Sequence, residues 1–397
     1  MQPARRLQQI KPSPTLALNA KARALAAQGV DVVGFAAGEP DYDTPAFIKD
    51  AAVEALRQGF TKYTATAGIP ELRAAVREKF QRDNGLTYAP EQVLITVGAK
   101  QALYNFFQAV LDPGDEVIIF APYWVSYPDM VRLAGGEPVV VETREEDGWV
   151  PSPDALRAAL TPRTRAVVFN SPSNPTGAVL SRKDLEALGQ VILPHGCLVV
   201  SDDIYEPLVY GDTPFCNIVN AVPALQDRAL VVNGFSKSHS MTGWRLGYAA
   251  GPAVLVSAMT MVQDQSTSNA ASIVQKAGLA ALGGSGAELR EMRAEYLQRR
   301  DLVVSALNAI PGIRCRTPDG AFYVMANVKG LLGKSYKGQV LGSALRMSEL
   351  LLSDFQVAAV PGEPFGAPGY LRLSFVTSRE KLQKGLSRIA AFAAALG

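Results

Sequence analysis

The chain has 397 residues, 48% hydrophobic and 19% charged, with a formal net charge of +2. That is globular composition, long enough for a large domain with a smaller partner, and it argues against a nucleic-acid binder, which gathers basic charge into patches. Cys197, Cys216 and Cys315 are isolated and odd in number, so a reducing compartment is expected rather than a disulfide framework. The start "MQPARRLQQIKPSP" is basic but has no apolar secretory region. No apolar run reaches the roughly 18–20 residues that a membrane span needs. A cytoplasmic protein without membrane or nucleic-acid partners is expected.

In chain order, "GFAAGEPDYDTP" (34–45) is rich in turn formers and reads as a linker. "QVLITV" (92–97) reads as a strand and "AKQALYNFFQAVL" (99–111) as a helix with apolar residues at helical spacing. "EVIIF" (116–120), "EPVVVE" (137–142), "RAVVFN" (165–170), "CLVVSD" (197–202) and "ALVVNG" (229–234) are short β-branched runs. Most are continuously apolar, as strands covered on both faces should be. Helical stretches such as 181–193 separate many of them. The pattern predicts an α/β architecture with a largely parallel sheet between helices. The tail reads as α+β. A long charged helix spans 286–309, with strands in "GIRCR", "GAFYVMA", "FQVAAV" and "YLRLSF" and helices near 341–353 and 378–395. "GLLGKSYKGQVLG" (330–342) reads as a mobile loop.

In an open α/β sheet, ligands bind beyond the carboxyl ends of the strands. Five clusters fall there: "VGAKQAL", "APYWVSYP", "NSPSNPTG", "SDDIYEP" and "NGFSKSHSMTGWR". Gly98, Ala99 and Lys100 join a strand to a helix N-terminus, where backbone N–H groups can approach a phosphate; the plain alternative is a tight turn. Asp202 ends an apolar strand, where a carboxylate needs a partner such as a protonated ring nitrogen. Tyr205 offers a phenol or packs in the core, and Trp124 is a stacking face or a core ring. Asn174 reaches a ligand with its amide or merely shapes a turn. Asp202 and Asp203 are adjacent, so their side chains should point to opposite faces, which disfavours a metal site. The two histidines, His195 and His239, form neither a zinc site nor a catalytic triad, and no metal is expected. A lysine near another cation has a lowered pKa and attacks carbonyls, and an arginine grips phosphate with two parallel bonds. Lys237 and Arg245, with Asp202, thus describe an aldehyde, a phosphate and a pyridinium nitrogen: pyridoxal 5′-phosphate.

With "KPS", "GEPD", "GIPELR", "PYWVSYP", "SPSNPTG", "SDDIYE", "SK" followed by "MTGWRLGY", and "VPG" in this order, the chain resembles a class I aminotransferase of fold-type I. It is most similar to the bacterial and plant aspartate aminotransferase branch, over essentially its whole length. The resemblance implies a mixed, mostly parallel seven-stranded sheet in a large domain over 46–290. A smaller α+β domain would join 1–45 to 291–397. It implies ping-pong transfer of the aspartate amino group to 2-oxoglutarate. A different donor or a lyase-type reaction on the same fold is the alternative. By the same resemblance Lys237 anchors the cofactor and moves the Cα proton, Asp202 pairs the ring nitrogen, and Tyr205 and Asn174 bind the ring oxygen. Trp124 stacks on the ring, and Gly98, Ala99, Lys100, Ser236 and Arg245 surround the phosphate. Tyr63 crosses to the phosphate of a second subunit, implying a homodimer. Arg372 clamps the substrate α-carboxylate, and Gly38 lines the same site. Gly234 stands where some relatives carry a phosphate-binding serine. Lys100 and Lys11 are the candidates for binding a distal carboxylate. Lys11 and Thr64 resemble members that also transaminate prephenate; otherwise Lys11 is a solvated lysine and Thr64 packs.

Overall fold

The computed structural model describes the chain except Met1, Pro3, Lys11–Ser13, Asp212 and Thr213. A large sheet contains β1 (Val93–Thr96), β2 (Glu116–Ala121), β3 (Glu137–Glu142), β4 (Thr164–Asn170), β5 (Leu198–Asp202), β6 (Ala229–Gly234) and β7 (Gly247–Ala250). Their spatial order is β1-β7-β6-β5-β4-β2-β3. From β6 to β3 every neighbouring pair is parallel, whereas β7 runs antiparallel to both β1 and β6. Six of these strands coincide with runs expected from the sequence. The exception is β7, whose residues "GYAA" are mostly too small to signal a strand.

The continuous apolar runs follow from double-sided burial. Along β6, Ala229 and Val231 pack into one core cluster while Leu230 and Val232 pack into another on the opposite face. Alternating side chains therefore all meet apolar neighbours. Polar residues stand at the carboxyl ends of the central strands: Asn170 on β4, Asp202 on β5 and Asn233 on β6.

A second sheet holds β8 (Arg314–Cys315), β9 (Tyr323–Asn327), β10 (Val360–Pro361) and β11 (Tyr370–Ser374), in the order β10-β11-β9-β8 and antiparallel throughout. It has its own core, to which the N-terminal segment adds Val33 and Phe35 and the loop after β5 adds Tyr205 and Leu208. Val33–Gly34 pairs in parallel with Val357–Ala358.

Three expectations need correction. The 34–45 segment is not a free linker. Phe35 and Ala36 are fully buried, and Asp41 is held by Arg299 at 2.8 Å. The run "FQVAAV" is not one strand. Gln356 takes a left-handed φ of 54°, and the residues after it split between Val357–Ala358 and β10, which join different sheets. The 330–342 stretch forms a hairpin, Ser335–Tyr336 against Gln339–Val340. Buried Leu331 and Leu341 anchor it, as do reciprocal backbone bonds of 3.0 Å between Ser335 and Gly397. Among the described residues no helix is long and apolar enough to cross a membrane.

Gly247 sets how closely β7 approaches the start of the helix Ala99–Val110. A Cβ there would lie 2.3 Å from the Ala99 nitrogen and 2.5 Å from the Gly98 carbonyl carbon. Both are backbone atoms and cannot swing aside. Gly247→Ala should therefore lower stability by about 1–3 kcal/mol, read as a lower urea midpoint. A midpoint equal to that of the unsubstituted protein would show that the contact relaxes freely.

Candidate active site

A cavity of about 260 Å³ opens beyond the carboxyl ends of the large sheet. All five sequence clusters line it, through Ala99 and Lys100, Trp124, Asn174, Asp202 and Tyr205, and Ser236, Lys237 and Arg245. Gly38 and Arg372 complete the wall from the N-terminal segment and the second sheet.

One end is built to hold an anion. Gly98 has φ +80°, a conformation that glycine adopts without strain, and the helix begins at Ala99. The first turn of a helix leaves N–H groups without intrahelical partners and carries a partial positive charge. Arg245 is itself left-handed, with φ 54°, and lies over Gly98: a Cβ on that glycine would be 2.7 Å from Nη2. Its Nη1 donates to the Thr242 carbonyl at 2.9 Å, fixing the guanidinium. The Lys100 ammonium lies 5.2 Å from the centre of the Trp124 ring. Burial, then the nearby Arg245 charge, pulls the Lys100 pKa down.

The other end is built for a cation. Asp202 is buried, and its Oδ2 accepts a 2.6 Å bond from the Tyr127 hydroxyl. Burial raises its pKa to about 6, against the opposing pull of that bond. Asn170 donates to the Asp202 carbonyl at 2.9 Å and accepts from the Asn174 backbone at 2.8 Å, so the ends of β4 and β5 and the loop after β4 are tied together. The Tyr205 hydroxyl lies 2.9 Å from that of Tyr323.

Between these ends stands Lys237, donating to the Gly38 carbonyl at 2.6 Å. Burial pushes its pKa down to about 8; Glu39 opposes the shift, and the charges of Arg245 and Arg372 add to it. Arg372 is buried, stacked 4.5 Å from the Tyr323 ring centre and 5.1 Å from that of Phe365. It donates to Asn174 Oδ1 at 3.1 Å and to the Ala36 carbonyl at 2.9 Å, while its Nε has no partner among the described residues. A buried donor left open in this way is costly unless a ligand fills it. The donor set thus suits a ligand with a phosphate at one end, a protonated nitrogen at the other, and a carboxylate beside Arg372.

Other predicted residues stand outside the cavity. Tyr63 is 92% exposed. Its loop is nonetheless pinned by two fully buried glutamines: Gln275 donates to Thr64 Oγ1 at 2.9 Å, and Gln263 donates to the Thr66 carbonyl at 3.0 Å. Thr64 is therefore a partner of Gln275 and does not line this cavity. Lys11 lies outside the described residues. Gly234 is not part of the wall, and its N–H is bound to the Asn233 side chain at 2.7 Å. Asp203 turns away from Asp202 and accepts from Ser201 at 2.6 Å and Asn217 at 2.9 Å. His239 packs beside Phe235, and burial lowers its pKa to about 4. His195 is held by the Thr161 carbonyl at 2.8 Å.

Sequence reasoning missed Tyr127, Asn170 and Tyr323, which all line the cavity. Tyr127 carried a usable signal, since it follows Trp124 by three residues and so shares its side of the turn. Asn170 is the polar end of an apolar strand, as Asp202 is. Tyr323 had no comparable signal, because it opens a strand that reads as core.

The family model "Aminotransferase class I and II" matches residues 30–389. The chain is 51% identical to an aspartate/prephenate aminotransferase of Cereibacter sphaeroides, covering 98% of each chain. It is 47% identical to an aspartate aminotransferase of Geobacillus stearothermophilus, covering 99% of each. The solved structure of an aspartate aminotransferase from Rhizobium meliloti superposes with a TM-score of 0.97 at 46% identity over 100% of both chains. The chain belongs to the class I and II aminotransferases, and its architecture is fold-type I.

The lowered pKa of Lys237 gives a direct expectation for the ligand-free protein. Its neutral, reactive form grows as pH rises through about 8, well below the ordinary lysine value near 10.4. Acylation of Lys237, followed by peptide mass spectrometry, should reach half its maximal rate near pH 8. A half-maximum near pH 10 would mean that the amine is not shut away from water.

Proposed function

We propose that this protein is a pyridoxal 5′-phosphate-dependent aspartate aminotransferase that passes the amino group to 2-oxoglutarate. The observation that carries the reading is one cavity holding the Lys237 amine, the buried Asp202 carboxylate and a buried Arg372 with an open Nε. The names of the relatives supply the substrate class.

Bound here, pyridoxal phosphate would supply an electron sink for bond breaking at the substrate α carbon. Arg245, Ser236 and the amides of Ala99 and Lys100 would receive the phosphate. Asp202 would hold a proton at the ring nitrogen, Tyr205 and Asn174 would bind the ring oxygen, and Trp124 would pack against the ring. Lys237 Nζ would anchor the aldehyde carbon and would take and return the proton at substrate Cα; a pKa near 8 leaves a usable fraction neutral at physiological pH. Arg372 receives the α-carboxylate with Gly38 beside it, and Lys100 is the candidate for the distal carboxylate. We also propose a cytoplasmic homodimer in which the exposed, pinned Tyr63 reaches the second copy's phosphate site. The two sheets, with their separate cores, support a large domain over 46–290 and a small one from 1–45 and 291–397. Prephenate is proposed as a further amino acceptor, supported by relatives that carry both substrates in their names.

Lys237→Ala should abolish transamination and the visible absorbance of lysine-bound cofactor; turnover near the unsubstituted rate would remove Lys237 from the chemistry. Arg372→Ala should raise KM for aspartate and cut kcat/KM by about 2–4 kcal/mol in transition-state terms. An unchanged KM would remove Arg372 from the substrate site. Aspartate with prephenate should yield arogenate, and its absence would leave 2-oxoglutarate as the acceptor.

A further inference from the structure

We infer that Tyr127 is a positioning residue that sets Asp202 and Trp124 together, a role that rests on the reading just proposed. Tyr127 is buried in the first turn of the helix Ser126–Leu133. Its hydroxyl reaches Asp202 Oδ2 at 2.6 Å, the length of a charge-assisted O–H···O bond. The other carboxylate oxygen, Oδ1, accepts only a long 3.4 Å bond from the Ile204 amide. Within the described chain, Tyr127 is thus the strong donor to this carboxylate.

The same ring meets Trp124 edge to face, with centroids 5.3 Å apart and an interplanar angle of 85°. One buried side chain therefore touches both the carboxylate that would face a ring nitrogen and the indole that would cover the ring. A donor bond stabilises the ionised carboxylate over its acid form. Where Asp202 and a pyridine nitrogen share one proton, the Tyr127 hydroxyl then favours the proton on nitrogen, the state that draws electrons from the substrate. The hydroxyl and the ring have separable jobs. The first sets where the proton rests, and the second sets the distance between Trp124 and Asp202.

The test uses holoenzyme carrying 15N at the pyridine nitrogen of pyridoxal phosphate. In Tyr127→Phe the 15N resonance should move towards the unprotonated position. The kcat for aspartate should fall about 10-fold while KM stays within about twofold, as expected for a lost bond to a charged group. The dissociation constant for pyridoxal phosphate should change by less than about threefold in this variant. Tyr127→Leu, which also removes the ring, should weaken cofactor binding about 10-fold. If Tyr127→Phe fails to fold, 3,5-difluorotyrosine at this position keeps the shape and strengthens the donor, and should move the resonance the opposite way. A cofactor-loaded Tyr127→Phe with the unsubstituted 15N shift and kcat overturns the inference and leaves the functional reading standing. Failure of the unsubstituted protein to bind pyridoxal phosphate overturns both.

Discussion

The arrangement depends on a carboxylate held at the end of a strand that is otherwise wrapped in hydrocarbon. Asp202 closes β5, whose Val199 and Val200 are fully buried on opposite faces. Taking an ionised group out of water is expensive unless bonds and opposite charge replace the solvent. The fold offsets part of that cost with the Tyr127 phenol, the Ile204 amide and the charge of Lys237 from the loop after β6. Those partners lie in three different connections between strands. Holding Asp202 thus brings together the loops that make up the cavity.

The second constraint is the burial of Arg372. Its strand, β11, belongs to the smaller sheet, yet its guanidinium reaches Asn174 of the large-sheet loops and the Ala36 carbonyl of the N-terminal segment. The cavity is therefore completed only when the second core has formed around Val33 and Phe35. That explains why Phe35 and Ala36 are fully buried although their segment is rich in glycine and proline. It must carry Gly38 past the lysine, where a Cβ would already lie 3.1 Å from the Tyr323 hydroxyl.

Charge within the cavity is graded. Arg245 and Lys100 lie near the helix start, Arg372 lies beneath Tyr323, and Asp202 stands as the buried counter-charge. Lys237 lies between them and answers to all: burial and the two arginines lower its pKa, while Asp202 and Glu39 raise it. A lysine on the surface would stay protonated through neutral pH, so its enclosure supplies the reactivity.

The sequence by itself determined the strands that are buried on both faces, because a run such as "LVV" has no polar side to place elsewhere. It also determined the set of loops in which chemistry would gather, since polar residues such as Asp202 and the Lys237 cluster stand out against apolar strands. It could not show β7, made of small residues whose purpose is close approach to a helix start. Nor could it show that the 34–45 segment begins inside a core, or that Tyr127 and Tyr323 face ligand space. Those facts depend on contacts between residues far apart in the chain, as when Tyr127 meets Asp202 across 75 positions. Local pattern records which side chains avoid water; only the packed tertiary structure decides which buried polar groups meet.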